Sequence, residues 1–329
     1  MRSRRELITF IGAVAAWPRF GRAQSNRLRR VAVLMGGPDS DSELQARLAA
    51  FRGEFHKLGW IEGHNIRMDT RWGALDVKLI QQFAKELVAL QPDLILSHNS
   101  ITTESMLGQT TVIPIVFCQV TDPVGSGFVA SFPRPGGNVT GFTFLEGSMT
   151  GKWLELLKEI APRLSKAALL FNPATASFAE YYLGPFKAAA ASMGVEAVAA
   201  PVSDRSELGS IIAKTAHEPN SGLIGMPHPF LTNHRDEIIS LAARYRLPTA
   251  YPYRFFTEHG GLLSYGNDLT DNFRRAAYYA DRILKSESAG QLPVQAPTKF
   301  ELVINLKTAK ALGIDVAPTL LARADEVIE

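Results

Sequence analysis

The chain has 329 residues, enough for two domains of ordinary size, and 46% hydrophobic and 20% charged residues exclude a disordered protein. The formal net charge is +3, but residues 1–23 hold five arginines and one glutamate. Without that segment the 35 basic and 32 acidic side chains fall to 30 and 31, so the basic balance does not indicate a nucleic-acid partner.

Residues 1–23 have the pattern of an export signal. Arg4-Arg5 precedes the apolar segment Leu7–Trp17, which is too short to span a bilayer. Gly21 and Ala23 are small residues at the two positions that a signal peptidase reads, which fits cleavage before Gln24. The segment has no cysteine for a lipid anchor. We therefore predict a twin-arginine-like signal and a periplasmic protein that is soluble after cleavage. A cytosolic protein with an accidentally apolar N-terminus is the alternative.

The first part of the chain alternates strand and helix patterns. Arg30–Met35 is a continuous apolar run, as expected of a parallel strand buried on both faces. After it, apolar residues repeat at three- and four-residue spacing, which predicts a helix that ends at Gly59. This stripe consists of Leu44, Leu48, Phe51, Phe55 and Leu58. Further strands are predicted at 65–72 and 93–97, with a second helix between them.

The alternation breaks between Ile113–Cys118 and Val139–Phe144. These are two strand patterns with no helix pattern between them, and a glycine turn at Pro135–Asn138 precedes the second. We interpret this break as the place where the chain crosses from one α/β lobe to another. A cleft between two such lobes is where a small ligand is expected.

A second alternating series follows the break. Strands are predicted at 167–171, 195–202, 223–226, 248–251 and 260–265, with helices between them. Gly266–Asp268 is interpreted as the end of the last of these strands and a second crossing, which returns a helix at about 270–284 to the first lobe. Phe300–Asn305 is one more predicted strand, followed by a short helix.

The sequence thus predicts the α/β class, with two Rossmann-like lobes whose parallel sheets are joined by a multi-strand hinge. Lobe 1 is predicted at 24–143 plus about 268–290, and lobe 2 at 144–267. The lobe that holds 291–329 stays open.

The sequence lacks the common motifs of enzymes. There is no P-loop or dinucleotide fingerprint, and Met149 stands where a nucleophile elbow requires serine. His228 and His234 are six residues apart, which does not match helical metal-ligand spacing. Cys118, the only cysteine, lies in an apolar strand pattern and is expected to be a small buried hydrophobe. We predict no catalytic residue, no cofactor, no metal and no nucleic-acid partner.

Aromatic and polar residues near the predicted cleft indicate a ligand with an apolar body. The aromatic residues are Phe142, Phe144, Tyr251, Tyr253, Phe255, Phe256 and Tyr265, of which two or three are expected to contact the ligand. Backbone N–H groups near Ser100 and Thr102, at a predicted helix start, can bind a carboxylate, although a plain helix cap explains the same pattern. Asp122 or Asp268 can pair with a ligand ammonium.

The chain resembles the substrate-binding proteins of ABC transporters, in the group that includes tryptophan- and tyrosine-type binding proteins of the type I periplasmic binding protein fold. The resemblance rests on V-T-D-P-V-G-S-G-F-V at 120–129, R-P-G-G-N-V-T-G-F at 134–142, K-W-L-E-L-L-K-E-I-A-P at 152–162, G-G-L-L-S-Y-G at 260–266 and F-E-L-V-I-N-L-K-T-A-K-A-L-G at 300–313. It extends from about residue 28 to the C-terminus. It implies two lobes that close on a ligand, delivery to a membrane permease, and no catalysis.

The resemblance places the ligand-binding loops at the ends of strands. With Phe144 from the aromatic group, the candidate ligand-binding residues are Asn99, Ser100, Gln119, Asp122, Phe144, Asn172, His228, Tyr251, Asn267 and Asp268. The expected function is the periplasmic solute-binding component of an ABC importer for an amino-acid-like or aromatic carboxylate. The expected partners are this small molecule and a permease, and a monomer is expected. A sensing module for another membrane partner, or a hydrolase using Asp122 or Asp268, are the alternatives.

Overall fold

The computed structural model describes residues 28–176 and 178–329, and the predicted export signal lies outside these ranges. Within them, five parallel strands form a first sheet in the order β2-β1-β3-β4-β5. These strands are β1 (Arg29–Met35), β2 (Ile66–Trp72), β3 (Leu94–Ser97), β4 (Ile115–Val120) and β5 (Val139–Thr143). The buried apolar runs of β1 and β4 are those expected of central parallel strands.

The second sheet contains seven strands of the described chain. They are β6 (Lys166–Phe171), β7 (Glu196–Pro201), β8 (Ser221–Gly225), β9 (Thr249–Tyr251), β10 (Leu263–Asn267), β11 (Phe300–Asn305) and β12 (Glu326–Ile328). Their order is β12-β11-β10-β9-β8-β6-β7, and all neighbours are parallel except β10 and β11. The mostly parallel α/β class predicted from the sequence is confirmed.

Helices cover both sheets. They are α1 (Ser42–Lys57), α2 (Val77–Ala89), α3 (Ser100–Leu107), α4 (Met149–Ile160), α5 (Ala179–Ser192), α6 (Leu208–His217), α7 (Pro229–Asn233), α8 (Arg235–Arg244), α9 (Arg254–Glu258), α10 (Leu269–Leu284), α11 (Leu306–Leu312) and α12 (Pro318–Leu321). Helix α10 packs against α1 on the first sheet, where Phe51, Phe55 and Phe273 share one buried cluster. The last strands of the chain belong to the second sheet.

Two details of the sequence interpretation need correction. The break before Val139 is not the crossing itself, because β4 and β5 are parallel neighbours in the first sheet and the chain leaves that sheet only after Thr143. Gly266 and Asn267 belong to strand β10 and do not follow it, since both pair with β11. Glycine fits at 266 because a Cβ atom there would lie 1.8 Å from the Pro252 carbonyl oxygen.

Three segments connect the sheets, at about 144–148, 268 and 293–299. Hydrogen bonds hold them together on the side of the first sheet. The Thr143 N–H donates to the Gln295 carbonyl (2.8 Å), and the Asn272 side-chain amide donates to the Thr143 carbonyl (3.0 Å). A multi-strand connection of this kind fits a hinge. None of the helices in the described chain is long and apolar enough to cross a membrane.

Candidate ligand-binding site

A cavity lies between the two sheets, at the carboxyl ends of their strands. The first lobe contributes residues that follow β1, β3, β4 and β5, and the second lobe contributes residues that follow β6, β8 and β9. The apolar part of the lining consists of Leu44, Leu75, Ile101, Phe144, Phe178, Pro227, Pro229 and Leu269. The empty space amounts to about 730 Å³ when the open solvent at its mouth is counted.

On the first-lobe wall, the Gln119 side chain accepts two hydrogen bonds and donates a third. The Gly36 N–H donates to His98 Nδ1 (3.2 Å), so the ring carries its proton on Nε2 and donates it to Gln119 Oε1 (3.0 Å). Arg47 Nη1 donates to the same oxygen (3.4 Å), while Gln119 Nε2 donates to the Leu269 carbonyl (3.3 Å). Every polar atom of this amide is therefore engaged by the protein.

Burial and the nearby Arg47 charge lower the pKa of His98 to about 3. The imidazole is therefore neutral at physiological pH, which agrees with the tautomer inferred from its two hydrogen bonds. His98 also packs against Phe273 of helix α10, with ring centroids 5.9 Å apart. It thus supports the first-lobe wall and does not add a charge to it.

Arg47 brings a buried charge to the cavity. Its residue is 5% exposed, and burial lowers the pKa of its guanidinium. Its one ion pair in the described chain is with Glu43, at 4.0 Å, and the Glu43 side chain is 40% exposed. A guanidinium placed there with so little compensation is a ready site for an anion.

The second-lobe wall presents aromatic rings and neutral polar groups. Tyr253 stands edge-on to Phe144, with ring centroids 5.7 Å apart, and so joins the two lobes. Phe178 lies 6.1 Å from the His228 ring. The Phe230 N–H donates to His228 Nδ1 (3.1 Å), and burial lowers the pKa of this histidine to about 4. His228 is therefore neutral, with its proton on Nε2.

Three buried polar atoms on the cavity lining have no hydrogen-bond partner among the described residues. They are Arg47 Nε, His228 Nε2 and the Tyr253 hydroxyl. The Thr175 backbone lies close enough to the His228 ring to favour its protonation, but it does not form a hydrogen bond with Nε2. Buried polar groups in folded proteins nearly always have partners. Six other atoms of the described residues also lack one, and these three are the ones that belong to the cavity lining.

The end of β4 and the turn that follows it also contain unusual backbone. Gln119 has a φ of 58° and Asp122 a φ of 43°, a left-handed conformation that side chains other than glycine adopt at some cost. Gln119 is at the cavity, whereas Asp122 turns outward and accepts the Gly125 N–H (2.9 Å). The strained turn thus directs one of the two side chains inward.

The structure brings half of the predicted site residues to the cavity. Asn99, Ser100, Gln119, Phe144 and His228 line it. Of the seven aromatic residues singled out, Phe144 and Tyr253 line the cavity, and Phe178 lies beside them.

The other predicted residues lie outside the lining, and all of them except Asn267 have side-chain contacts elsewhere in the protein. Tyr251 is buried against Phe256, with ring centroids 4.8 Å apart, and Asn172 accepts the Thr175 N–H (3.0 Å). Asp122 accepts the Gly125 N–H, as described above. Asn267 is buried, with both amide atoms lacking partners among the described residues.

Asp268 caps helix α10 through the Thr270 N–H (2.8 Å) and pairs with Arg274 (3.0 Å). These bonds lower the pKa of this carboxyl, although its partial burial acts in the opposite direction.

The predicted carboxylate site at the start of α3 is partly wrong. The Thr102 N–H donates to Asn99 Oδ1 (3.0 Å), and the Asn99 N–H donates to Thr102 Oγ1 (2.9 Å), which is a reciprocal capping box. Thr102 therefore has no N–H to offer. The N–H groups of Ser100 and Ile101 have no acceptor in the described chain and remain available.

Sequence reasoning missed Arg47, the most informative residue of the site. It lies on the buried face of α1 between Leu44 and Phe51, at the three- and four-residue spacing of the apolar stripe. A charge within such a stripe is the signal that could have identified it. Phe178 was not among the predicted site residues either, and it lies one residue before α5 begins.

Neither metal nor thiol chemistry is indicated by the described residues. They contain no group of three or more histidine, cysteine or acidic side chains that could hold a metal ion. Cys118 is fully buried in β4, and burial raises the pKa of its thiol well above the ordinary value. It is therefore an unreactive hydrophobe, as predicted.

Comparisons with known proteins agree with this geometry. A family model described as ABC transporter substrate binding protein matches residues 39–328. A tyrosine-binding protein of Clostridioides difficile is 26% identical over 262 residues, which are 78% of this chain and 73% of that protein.

Solved structures share the fold over nearly the whole chain. A conserved domain protein from Vibrio cholerae has a TM-score of 0.85 and 27% identity, and the match covers 92% of this chain and all of that one. An ABC domain from Streptococcus pneumoniae in complex with L-Trp has a TM-score of 0.84 and 22% identity, with the same coverage.

Proposed function

Because the chain belongs to the family of ABC transporter substrate-binding proteins, we propose that it is the periplasmic solute-binding component of an ABC importer. It captures a small molecule that carries a carboxylate on an apolar body, amino-acid-like or aromatic, between its two lobes. It then presents the closed, loaded form to a membrane permease. The chain acts as a monomer in this role.

The observation that carries this proposal is the cavity, whose walls come from both sheets. Phe144 and Tyr253 meet across it, with Phe178 beside them, so a ring can be enclosed by aromatic side chains. Arg47 lines the same space, and its charge is offset only by acidic groups that are distant or partly exposed. The tyrosine and L-Trp named for the two relatives are aromatic and carry a carboxylate, which supports this ligand class.

Binding is tested on the chain that begins at Gln24, by thermal shift against amino acids and aromatic acids. A ligand at one hundred times its Kd is expected to add about 2.7 kcal/mol to the free energy of unfolding, because it binds only the folded state. Phe178→Ala is expected to weaken that ligand by about tenfold or more, since it removes one aromatic wall. Tyr278→Ala, which removes an aromatic side chain that is 50% exposed, is the control.

If no compound in the screen raises the melting temperature, the ligand class is contradicted. The same conclusion follows if Phe178→Ala binds as tightly as Tyr278→Ala. Export and delivery need a separate test. The full-length chain is expected in the periplasmic fraction, and the Gln24 form in the cytosol. Cells without this gene are expected to lose uptake of the ligand found in the screen.

A further inference from the structure

The donors and charges of the cavity point to a narrower ligand, and this inference rests on the function proposed above. We propose that the site selects an aromatic monocarboxylate without a protonated amine, and that Arg47 binds the carboxylate. An α-amino acid with the same ring is then the poorer ligand.

The unpaired atoms of the lining are hydrogen-bond donors. Arg47 Nε carries a proton at all accessible pH values, and His228 Nε2 carries one because Nδ1 accepts the Phe230 N–H. The Tyr253 hydroxyl is the third and can donate as well. The ligand that satisfies this set must supply acceptors, and a carboxylate with its two oxygens supplies several.

The buried charge sets the sign of the ligand. Arg47 has one long ion pair, to the partly exposed Glu43 at 4.0 Å, and one long hydrogen bond, to Gln119 at 3.4 Å. A ligand carboxylate opposite the guanidinium would satisfy Nε and offset the loss of hydration. A ligand ammonium would meet the same guanidinium as a like charge.

The lining contains a single acidic side chain, and one of its oxygens already caps a helix. Asp41 is the one acid among the lining residues. Its Oδ1 accepts the N–H groups of Glu43 (2.9 Å) and Leu44 (3.2 Å), so it caps helix α1. The other two candidate acids, Asp122 and Asp268, lie outside the lining and have partners of their own.

The test compares three compounds with the same ring by calorimetric titration of the Gln24 form. For indole these are indole-3-propionate, L-tryptophan and tryptamine, and for phenyl they are 3-phenylpropionate, L-phenylalanine and phenethylamine. The acid is expected to bind about tenfold or more tighter than the amino acid, and the amine is expected not to bind. An amino acid that binds as tightly as the acid, or an amine that binds, overturns the inference.

Substitutions of Arg47 test whether this residue binds the ligand carboxylate. Arg47→Gln is expected to lower the affinity for the acid by roughly tenfold to a hundredfold, because a charged hydrogen-bond donor is lost. Arg47→Lys keeps the charge and is expected to retain part of the affinity, and Tyr253→Phe loses less. Arg52→Gln, on the exposed side of the same helix, is the control. Circular dichroism and melting of the ligand-free variants show whether each one is folded.

Three outcomes separate this inference from the proposed function. A folded Arg47→Gln variant that binds the acid as well as the parent does overturns the role of Arg47. If none of the six compounds binds but the wider screen finds a ligand, the aromatic monocarboxylate is wrong and the receptor function stands. If the wider screen is also empty, both fall.

Discussion

At the scale of single residues, Arg47 is a group placed for binding at the expense of stability. Its guanidinium is desolvated, and its two contacts are long. Arg47→Met keeps most of the side-chain volume and removes the buried charge, and Gln119 Oε1 still accepts from His98. We expect Arg47→Met to raise the free energy of unfolding of the ligand-free protein by about 1–2 kcal/mol, while ligand binding is lost.

Urea unfolding of the parent chain and Arg47→Met checks this prediction. Arg52→Met, at an exposed position of the same helix, controls for the change in composition. A lower unfolding free energy in Arg47→Met than in Arg52→Met would show that the arginine stabilises the ligand-free fold.

The two buried histidines predict how stability depends on pH. Their pKa values are lowered to about 3 (His98) and about 4 (His228), whereas an unfolded histidine titrates near 6.5. Below pH 6.5 the unfolded chain therefore binds more protons, and stability falls as the pH is lowered until the folded values are reached. Each histidine is expected to cost about 2 kcal/mol between about pH 7.5 and about pH 5.

His228→Gln removes one of these two titratable groups and replaces the ring Nε2–H with a side-chain amide N–H. We expect the loss of stability between pH 7.5 and pH 5, measured by urea unfolding, to shrink by about 2 kcal/mol in this variant. The exposed His56→Gln variant is the control. An equal change in His56→Gln would contradict the explanation by burial.

Residue-level prediction from sequence reached loops at the cavity, but only half of the predicted side chains line it. Strand ends were visible in the pattern, so Asn99, Gln119 and His228 were identified. Sequence spacing does not show which residue of a loop turns inward. Tyr251 packs inside its sheet, whereas Tyr253, two residues later, lines the cavity.

At the scale of elements, the backbone of β10 packs closely against the backbone that follows β9, next to the hinge. Gly266 of β10 admits no Cβ, since that atom would lie 1.8 Å from the Pro252 carbonyl oxygen. Gly266→Ala is expected to lower the free energy of unfolding by about 2–3 kcal/mol. Gly53→Ala, in the middle of α1 with open space around it, is expected to raise it by about 0.5–1 kcal/mol.

Chemical denaturation of both glycine variants at one pH gives the comparison. If Gly266→Ala is as stable as Gly53→Ala, the contact between β9 and β10 next to the crossing is looser than the structure shows.

Long elements were predictable, and short ones were not. Parallel strands such as β1 and long helices such as α10 carry runs or stripes of apolar residues that identify them. Helices α7 and α9 have five residues each, too few for a helical period to be recognised, and both lie beside the cavity. The positions of the loops around His228 and Tyr253 in the chain could therefore be predicted, but their helical conformation could not.

At the scale of the whole molecule, two lobes on a three-segment hinge are expected to open when the cavity is empty. Ligand binds to both walls, so it stabilises the closed arrangement by the difference in its affinity for the two states. Small-angle scattering is expected to show a smaller radius of gyration for the loaded protein than for the ligand-free one. The folded Arg47→Gln variant is expected to show no such decrease with the same ligand concentration, and a decrease there would mean that closure does not depend on the anchored charge.

The sealed thiol of Cys118 has a practical use. Because it is the only cysteine of the sequence and is buried with a raised pKa, maleimide dyes will leave it untouched while the protein is folded. Two cysteines introduced on opposite lobes would then be the only labelled positions. A donor and an acceptor fluorophore attached there would report capture of the solute as a colour change, which makes this chain a ready starting point for an optical biosensor.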